Sequence, residues 1–284
     1  MEQIKIIADS TCDLSKEILH RYDITIIPLC VTMGEQDYHD GVDITPEDIY
    51  VWSDKENSTP KTAAPRLSDV IDILKPFVEK EQDIIFFGIS EEMSSTCNVV
   101  RLAAEYYDYK KIYIINSKNL STGIGLQVLK AASLVQQGHL TQSIIEYITT
   151  YMQRRIRASF VVDTLTYLHR GGRCSSVTAL IGNTLKLKPM IVVKDGKMEV
   201  SKKYRGTTKK ALLNYIDDLK EELLVADKER VFITHSGCDN ELIERLYHDL
   251  KELKVFREIV VTRAGSVITS HCGPKTLGIL YVKS

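Results

Sequence analysis

The chain has 284 residues, 44% hydrophobic and 26% charged, with 15 Gly and 7 Pro, a composition of folded globular proteins that excludes fibrous and disordered classes. Lys and Arg number 37 against 38 Asp and Glu, so with a formal net charge of −1 no global positive excess draws the chain to nucleic acid or an anionic membrane. At about 150 residues per domain, two domains are expected.

From the N-terminus, Met1-Glu2-Gln3-Ile4-Lys5 sets an acid beside a short apolar run and reads as neither signal peptide nor transit sequence. No apolar run approaches the roughly 18 residues of a membrane span, and a cytoplasmic location is expected. Runs rich in Ile or Phe at residues 4–8, 24–32, 83–89 and 111–116 predict strands buried on both faces. Helices are predicted after Thr45-Pro46-Glu47-Asp48, an N-cap followed by a first-turn proline, and over 98–107 after Thr96. Strand followed by helix, repeated, implies an α/β layer with a mainly parallel sheet.

Two consecutive helices are predicted next, over 121–137 and 141–155, with Gly138 as a C-cap between them. This break in alternation places a domain boundary at residues 156 and 157, giving domains 1–156 and 157–284. The second half reads as strand 158–163, a Gly-rich turn at Arg170-Gly171-Gly172-Arg173, and strands 190–193 and 197–201 joined by the hairpin signal Asp195-Gly196. Helices 207–224 and 240–253 and strands 231–234, 258–262 and 277–282 complete a second α/β domain with a mixed sheet.

The six cysteines, Cys12, Cys30, Cys97, Cys174, Cys238 and Cys272, stand singly, and none of the 7 histidines forms an H-x-x-x-H pair; no transition metal is expected. Gly123-Ile124-Gly125-Leu126-Gln127-Val128 lacks the third glycine of a dinucleotide fingerprint, and there is neither a G-x-S-x-G elbow nor a P-loop. Asp37-Tyr38-His39-Asp40-Gly41-Val42-Asp43 lacks the spacing of a calcium loop and reads as a polar turn.

In α/β sheets ligands gather beyond the carboxyl ends of strands, where helix N-termini converge. Four hydroxyl-rich turns fall there: Asp9-Ser10-Thr11-Cys12, the stretch from Ser90 to Thr96, Asn116-Ser117, and Thr59-Pro60-Lys61-Thr62-Ala63-Ala64-Pro65. Each alone is equally a set of caps and turn formers. Residues 183–211 carry Lys186, Lys188, Lys194, Lys197, Lys202, Lys203, Arg205, Lys209 and Lys210 against Asp195 and Glu199 only, a solvated face or a docking surface for an anionic partner. With Tyr204 as its one aromatic the segment does not suit single-stranded nucleic acid, and no helix-turn-helix arrangement supports DNA binding.

Taken in order, these motifs resemble the DegV family of bacterial two-domain α/β proteins over essentially the whole chain. The resemblance rests on Ile7-Ala8-Asp9-Ser10-Thr11-Cys12-Asp13-Leu14, the Asp40-Gly41 turn, Thr62, Gly88-Ile89-Ser90 with Ser94-Ser95-Thr96, the run from Asp163 to Arg173, Lys188-Pro189, Arg205 and His271-Cys272-Gly273-Pro274. It implies a carrier, not an enzyme, that holds a long-chain fatty acid in a buried tunnel and presents the carboxylate to a separate fatty acid kinase. Carried onto matching positions, Thr62 and Ser94 contact the carboxylate with the Ser95 amide close by, and Arg173, Arg205 and His271 form the polar cluster around the head-group.

The chain departs from the family pattern at Ala63-Ala64-Pro65, where Ser-Gln-Pro is usual, at Cys97, where an aromatic is common, and at Lys275, which replaces a glycine. The alternative reading is an interdomain-cleft enzyme acting on a phosphorylated or carboxylated small molecule, with His271 as acid/base and Arg173 as anion clamp.

Overall fold

In the computed structural model, which describes residues 3–178, 180 and 187–284, the first half of the chain forms strands β1 (Ile4–Asp9), β2 (Thr25–Ile27), β3 (Cys30–Met33), β4 (Gln36–His39), β5 (Lys61–Ala63), β6 (Asp83–Gly88) and β7 (Ile112–Asn116). Between them lie α1 (Lys16–Arg21), α2 (Pro46–Glu56), α3 (Leu67–Val78) and α4 (Thr96–Tyr106). The order β2-β1-β6-β7 is parallel throughout. All six residues of β6 are buried, because the pleat sends Ile84 and Phe86 towards α3 and α4, and Ile85 and Phe87 to the opposite face.

The strand predicted over 24–32 is two strands in two sheets. Pro28 has no N–H to give a ladder and breaks the run, so β2 ends at Ile27 while β3 starts a separate antiparallel sheet in the order β4-β3-β5. This small sheet, absent from the sequence reading, carries Thr62 in β5, paired with Val31.

Then come α5 (Thr122–Gln136) and α6 (Thr141–Glu146), the latter continuing through one π-helical turn and a short 3-10 turn to Arg155. The second half builds a six-stranded sheet from β8 (Ile156–Val161), β9 (Leu187–Lys194), β10 (Lys197–Arg205), β11 (Ala226–His235), β12 (Glu258–Arg263) and β13 (Leu277–Lys283). In the order β10-β9-β8-β13-β11-β12, only β11 and β12 run parallel. Asp195 and Gly196 close the β9–β10 hairpin, both at positive φ (48° and 82°), as a type I′ turn requires. Short helices α7 (Thr166–Gly171) and α8 (Ser175–Thr178) follow β8; α9 (Thr208–Leu224) and α10 (Asn240–Glu252) pack on one sheet face through Leu212, Tyr215 and Leu246. A seven-residue helix, α11 (Ser266–Cys272), precedes β13.

The fold is two α/β domains, one with a parallel sheet and one with a mixed sheet, as the sequence implies. Helix α5 lies between them: it contacts β1 and β6 on one side and β8, β11 and β13 on the other. Eleven of its 15 residues are therefore buried, and one apolar core runs from Ile6 and Phe87 through Ile124 and Val128 to Phe160 and Leu280. Among the described residues, no helix is long and apolar enough to cross a membrane.

Candidate functional site

Where the domains meet, residues of both halves line a cavity of about 260 Å³. Five of the six side chains picked out in the sequence, Thr62, Ser94, Ser95, Arg173 and His271, converge on it. Its other walls are largely apolar, with Ile89, Met93, Phe160, Leu168, Met198 and Leu280 among them. Ala63 and Ala64 also face it, so the departure from the family pattern makes this wall more apolar.

Thr62 reaches the cavity from β5, and its Oγ1 lies 2.7 Å from His271 Nε2 at the end of α11. The Nδ1 edge of the imidazole abuts Gly171: a Cβ there would lie 2.3 Å from Nδ1, so a side chain at this position would displace the ring. Nδ1 is buried without a hydrogen-bond partner. Burial, helped by the positive charge of Arg173, pushes His271 down to about 4, so the ring is neutral at pH 7.

Ser94 and Ser95 sit in the loop entering α4. Ser94 Oγ accepts the Thr96 N–H at 3.3 Å and lies 2.9 Å from Thr96 Oγ1, whereas the Ser95 side chain makes no capping bond. Arg173 follows the left-handed Gly172 that ends α7; its Nη1 donates to Gly171 O at 2.7 Å and its Nε to Met93 O at 3.5 Å. It borders both the cavity and a neighbouring polar hollow shared with Glu92 and Lys197.

Arg205 does not belong to this group. It is exposed at the far end of β10, seven residues beyond Met198, the strand's contribution to the cavity wall. At about 3.3 Å per residue an extended strand of that length spans roughly 23 Å, and Arg205 does not line the cavity. The basic segment is also partly neutralised: Lys188, Lys197, Lys202 and Lys209 pair with Asp163, Glu92, Asp218 and Glu241, and Lys186 lies outside the described residues.

Three residues that the sequence reading gave no site role lie beside the cavity-lining loops. Asp9, Asp13 and Asp40 are buried carboxyls. Asp9 accepts the Ile89 N–H at 2.7 Å, Asp13 the Gly265 N–H at 2.8 Å together with the Ser121 hydroxyl, and Asp40 the Ser266 N–H at 2.7 Å. Burial pushes Asp9 up to about 6 and Asp13 to about 8, and raises Asp40. Their signal was the pair of aspartates in Asp9-Ser10-Thr11-Cys12-Asp13, a stretch read for its hydroxyls. His235, also unremarked in the sequence, lines the cavity and is held at about 4 by burial and Arg263.

The cysteines near the site are buried and unpaired, and burial pushes Cys97 and Cys272 up to about 12, which makes them packing residues at neutral pH. Lys275 sits at φ 58°, the left-handed region that favours glycine. Among the described residues, no group of three or more His, Cys, Asp or Glu could hold a metal ion.

A family model described as uncharacterised protein, DegV family, matches residues 3–284. A DegV domain-containing protein of Clostridium perfringens is 34% identical over 287 residues, covering 100% of this chain and 99% of the relative. Among solved structures, a fatty-acid-binding DegV family protein from Thermus thermophilus is 28% identical with a TM-score of 0.87, covering 99% of this chain and 100% of that one. A stearic acid-binding protein from Eubacterium ventriosum is 28% identical with a TM-score of 0.87 over 99% and 98%. DegV from Bacillus subtilis, a fatty acid binding protein, is 27% identical with a TM-score of 0.86 over the full length of both. With the match running from one end of the described fold to the other, this chain belongs to the DegV family.

Proposed function

We propose that this protein binds a long-chain fatty acid in the interdomain cavity and presents the carboxylate to a separate fatty acid kinase, acting as a cytoplasmic carrier rather than a catalyst. The observation that carries this reading is the convergence of Thr62, Ser94, Ser95, Arg173 and His271 at one cavity whose remaining walls are largely apolar. The fatty-acid-binding relatives of the same fold support it.

The head-group chemistry follows from hydrogen-bond direction. His271 is neutral and its Nδ1 is buried without a partner, so its single ring hydrogen costs least on Nε2. Nε2–H then donates to Thr62 Oγ1, and the threonine's own hydrogen is left to donate to an anion. Ser94, the free amide and hydroxyl side of the α4 entry, and the Arg173 guanidinium supply further donors, as a carboxylate taken from water requires.

The tail provides most of the affinity. At about 0.8 kcal/mol per buried methylene, a chain of about sixteen carbons gains on the order of 10 kcal/mol before ordering costs. In this reading 1–156 supplies the carboxylate-binding loops, and 157–284 contributes acyl tunnel wall and the polar interface residues Arg173 and His271. Binding of radiolabelled palmitate tests the site: the Thr62→Ala, Ser94→Ala double variant is expected to lose affinity at least a hundredfold, and unchanged affinity would remove the carboxylate from these residues. Arg205→Ala is expected to bind as the wild type does.

A further inference from the structure

We propose that Asp9, Asp13 and Asp40 act together as a proton-sharing junction that sets the position of three cavity-lining segments, so that ligand affinity carries a pH dependence originating inside the protein. Between them the carboxyls hold three segments, with Asp13 and Asp40 sharing the entry to α11. Asp9 fixes Ile89, the start of the loop bearing Ser94 and Ser95; Asp13 fixes Ser121 at the head of α5 and Gly265; Asp40 fixes Ser266, the first residue of the helix that carries His271. Ile89, Ser121, Ala264 and Val267 all line the cavity, so the junction lies one residue or less behind its wall.

Asp13 and Asp40 meet at Gly265, and no cation is paired with any of the three carboxyls among the described residues. A Cβ placed on Gly265 would lie 3.1 and 3.2 Å from the two Asp40 carboxyl oxygens and 3.3 Å from Asp13 Oδ1, so both carboxyls converge on one Cα. The three residues are 0%, 6% and 2% exposed, and none makes an ion pair among the described residues. The titratable groups facing them are Cys12 on their own turn, Cys97 on α4 and Cys272 on α11, none of them a cation. Asp40 Oδ2 is buried with no partner at hydrogen-bond distance and angle, although the Ser10 hydroxyl and the Val267 N–H face the carboxyl and favour its charged form.

Buried carboxylates this close do not all ionise; they hold protons in common and release them in coupled steps. Losing the last shared proton sets like charges against each other at Gly265, the point from which α11 carries His271 to Thr62. A cavity that is competent in the protonated state therefore weakens as pH rises, and ligand and proton bind cooperatively. A one-unit difference in proton affinity between free and loaded protein is a tenfold change in ligand affinity.

The first test needs no ligand. In protein labelled with ¹³C at aspartate carboxyls and titrated by NMR, with Asp13→Asn and Asp40→Asn assigning the signals, at least one junction carboxyl is expected to keep its proton above pH 7. Ordinary titration of all three, below about pH 5, would overturn the proposal. Affinity for radiolabelled palmitate is then measured from pH 6.5 to 9, a choice of probe that rests on the fatty-acid reading.

The wild type is expected to weaken about tenfold beyond any change shared with Asp13→Asn, whose amide mimics the protonated acid and flattens the profile. An identical fall in wild type and both Asn variants would assign the effect to the ligand's own titration and contradict the junction. Should palmitate fail to bind at any pH, the fatty-acid reading fails, and the carboxyl titration still decides the proposal.

Discussion

Thr62 and His271 stand 209 positions apart in sequence and meet at 2.7 Å, and the contact depends on a third residue, Gly171, having no side chain. Gly171→Ala is expected to push the imidazole off Thr62 and weaken palmitate binding at least tenfold; normal binding, with the Thr62–His271 contact intact in a crystal structure, would show that the ring does not orient the hydroxyl. Thr62→Ala alone removes one bond to a charged group, a loss of about 1.5–3 kcal/mol, or roughly one to two orders of magnitude in affinity by titration. Five of the six residues picked out in the sequence line one cavity because ordered motifs mark where the chain passes it. Arg205 lies outside the cavity lining because a motif gives a residue's order along a strand and not the end of the sheet it occupies. The aspartates escaped because their partners, Ile89, Ser121, Gly265 and Ser266, are 80, 108, 252 and 226 positions away.

Elements with strong punctuation, such as α2 and the β9–β10 hairpin, were read accurately, whereas α1, α3 and α11 were not read at all. Thr45 and Asp48 form a reciprocal capping box with Pro46 in the first turn of α2, all visible in four letters of sequence. Thr45→Ala is expected to cost about 1 kcal/mol of stability, read as a lower urea midpoint, without changing palmitate affinity. The Asp195-Gly196 hairpin was equally legible, yet its docking was not: Ser90 Oγ donates to Gly196 O at 2.7 Å and would lie 2.5 Å from a Cβ there. Gly196→Ala, strained at φ 82°, is expected to destabilise the protein by about 1–3 kcal/mol and to weaken binding as well, since Met198 two residues on lines the cavity. Conversely, α11 was missed because seven residues are too few for an amphipathic period, and its position comes from Asp13 and Asp40 rather than from its own sequence.

The whole molecule closes around α5, whose burial on nearly every face joins the two sheets into one core and leaves the cavity at their seam. Its buried charges give stability a definite pH dependence. Asp9 and Asp13 titrate near 6 and 8 when folded against an ordinary 3.8, so the folded chain holds protons that the unfolded chain releases, and their stabilisation is full below about pH 4 and is lost as pH rises to 8. His235 and His271, lowered to about 4 from 6.5, act in the opposite sense, and their contribution is lost as pH falls from 6.5 to 4. Between pH 6.5 and 8 the carboxyls dominate, so the urea midpoint of the ligand-free protein is expected to fall, and to fall less in Asp13→Asn; a midpoint that rises in that window would contradict the buried, protonated junction. The central claim, a carrier for long-chain acids, is tested most directly by native mass spectrometry of the purified protein, paired with mass spectrometry of the organic extract after denaturation. One long-chain fatty acid per chain is the predicted result. A protein that emerges empty and takes up no added palmitate would contradict it.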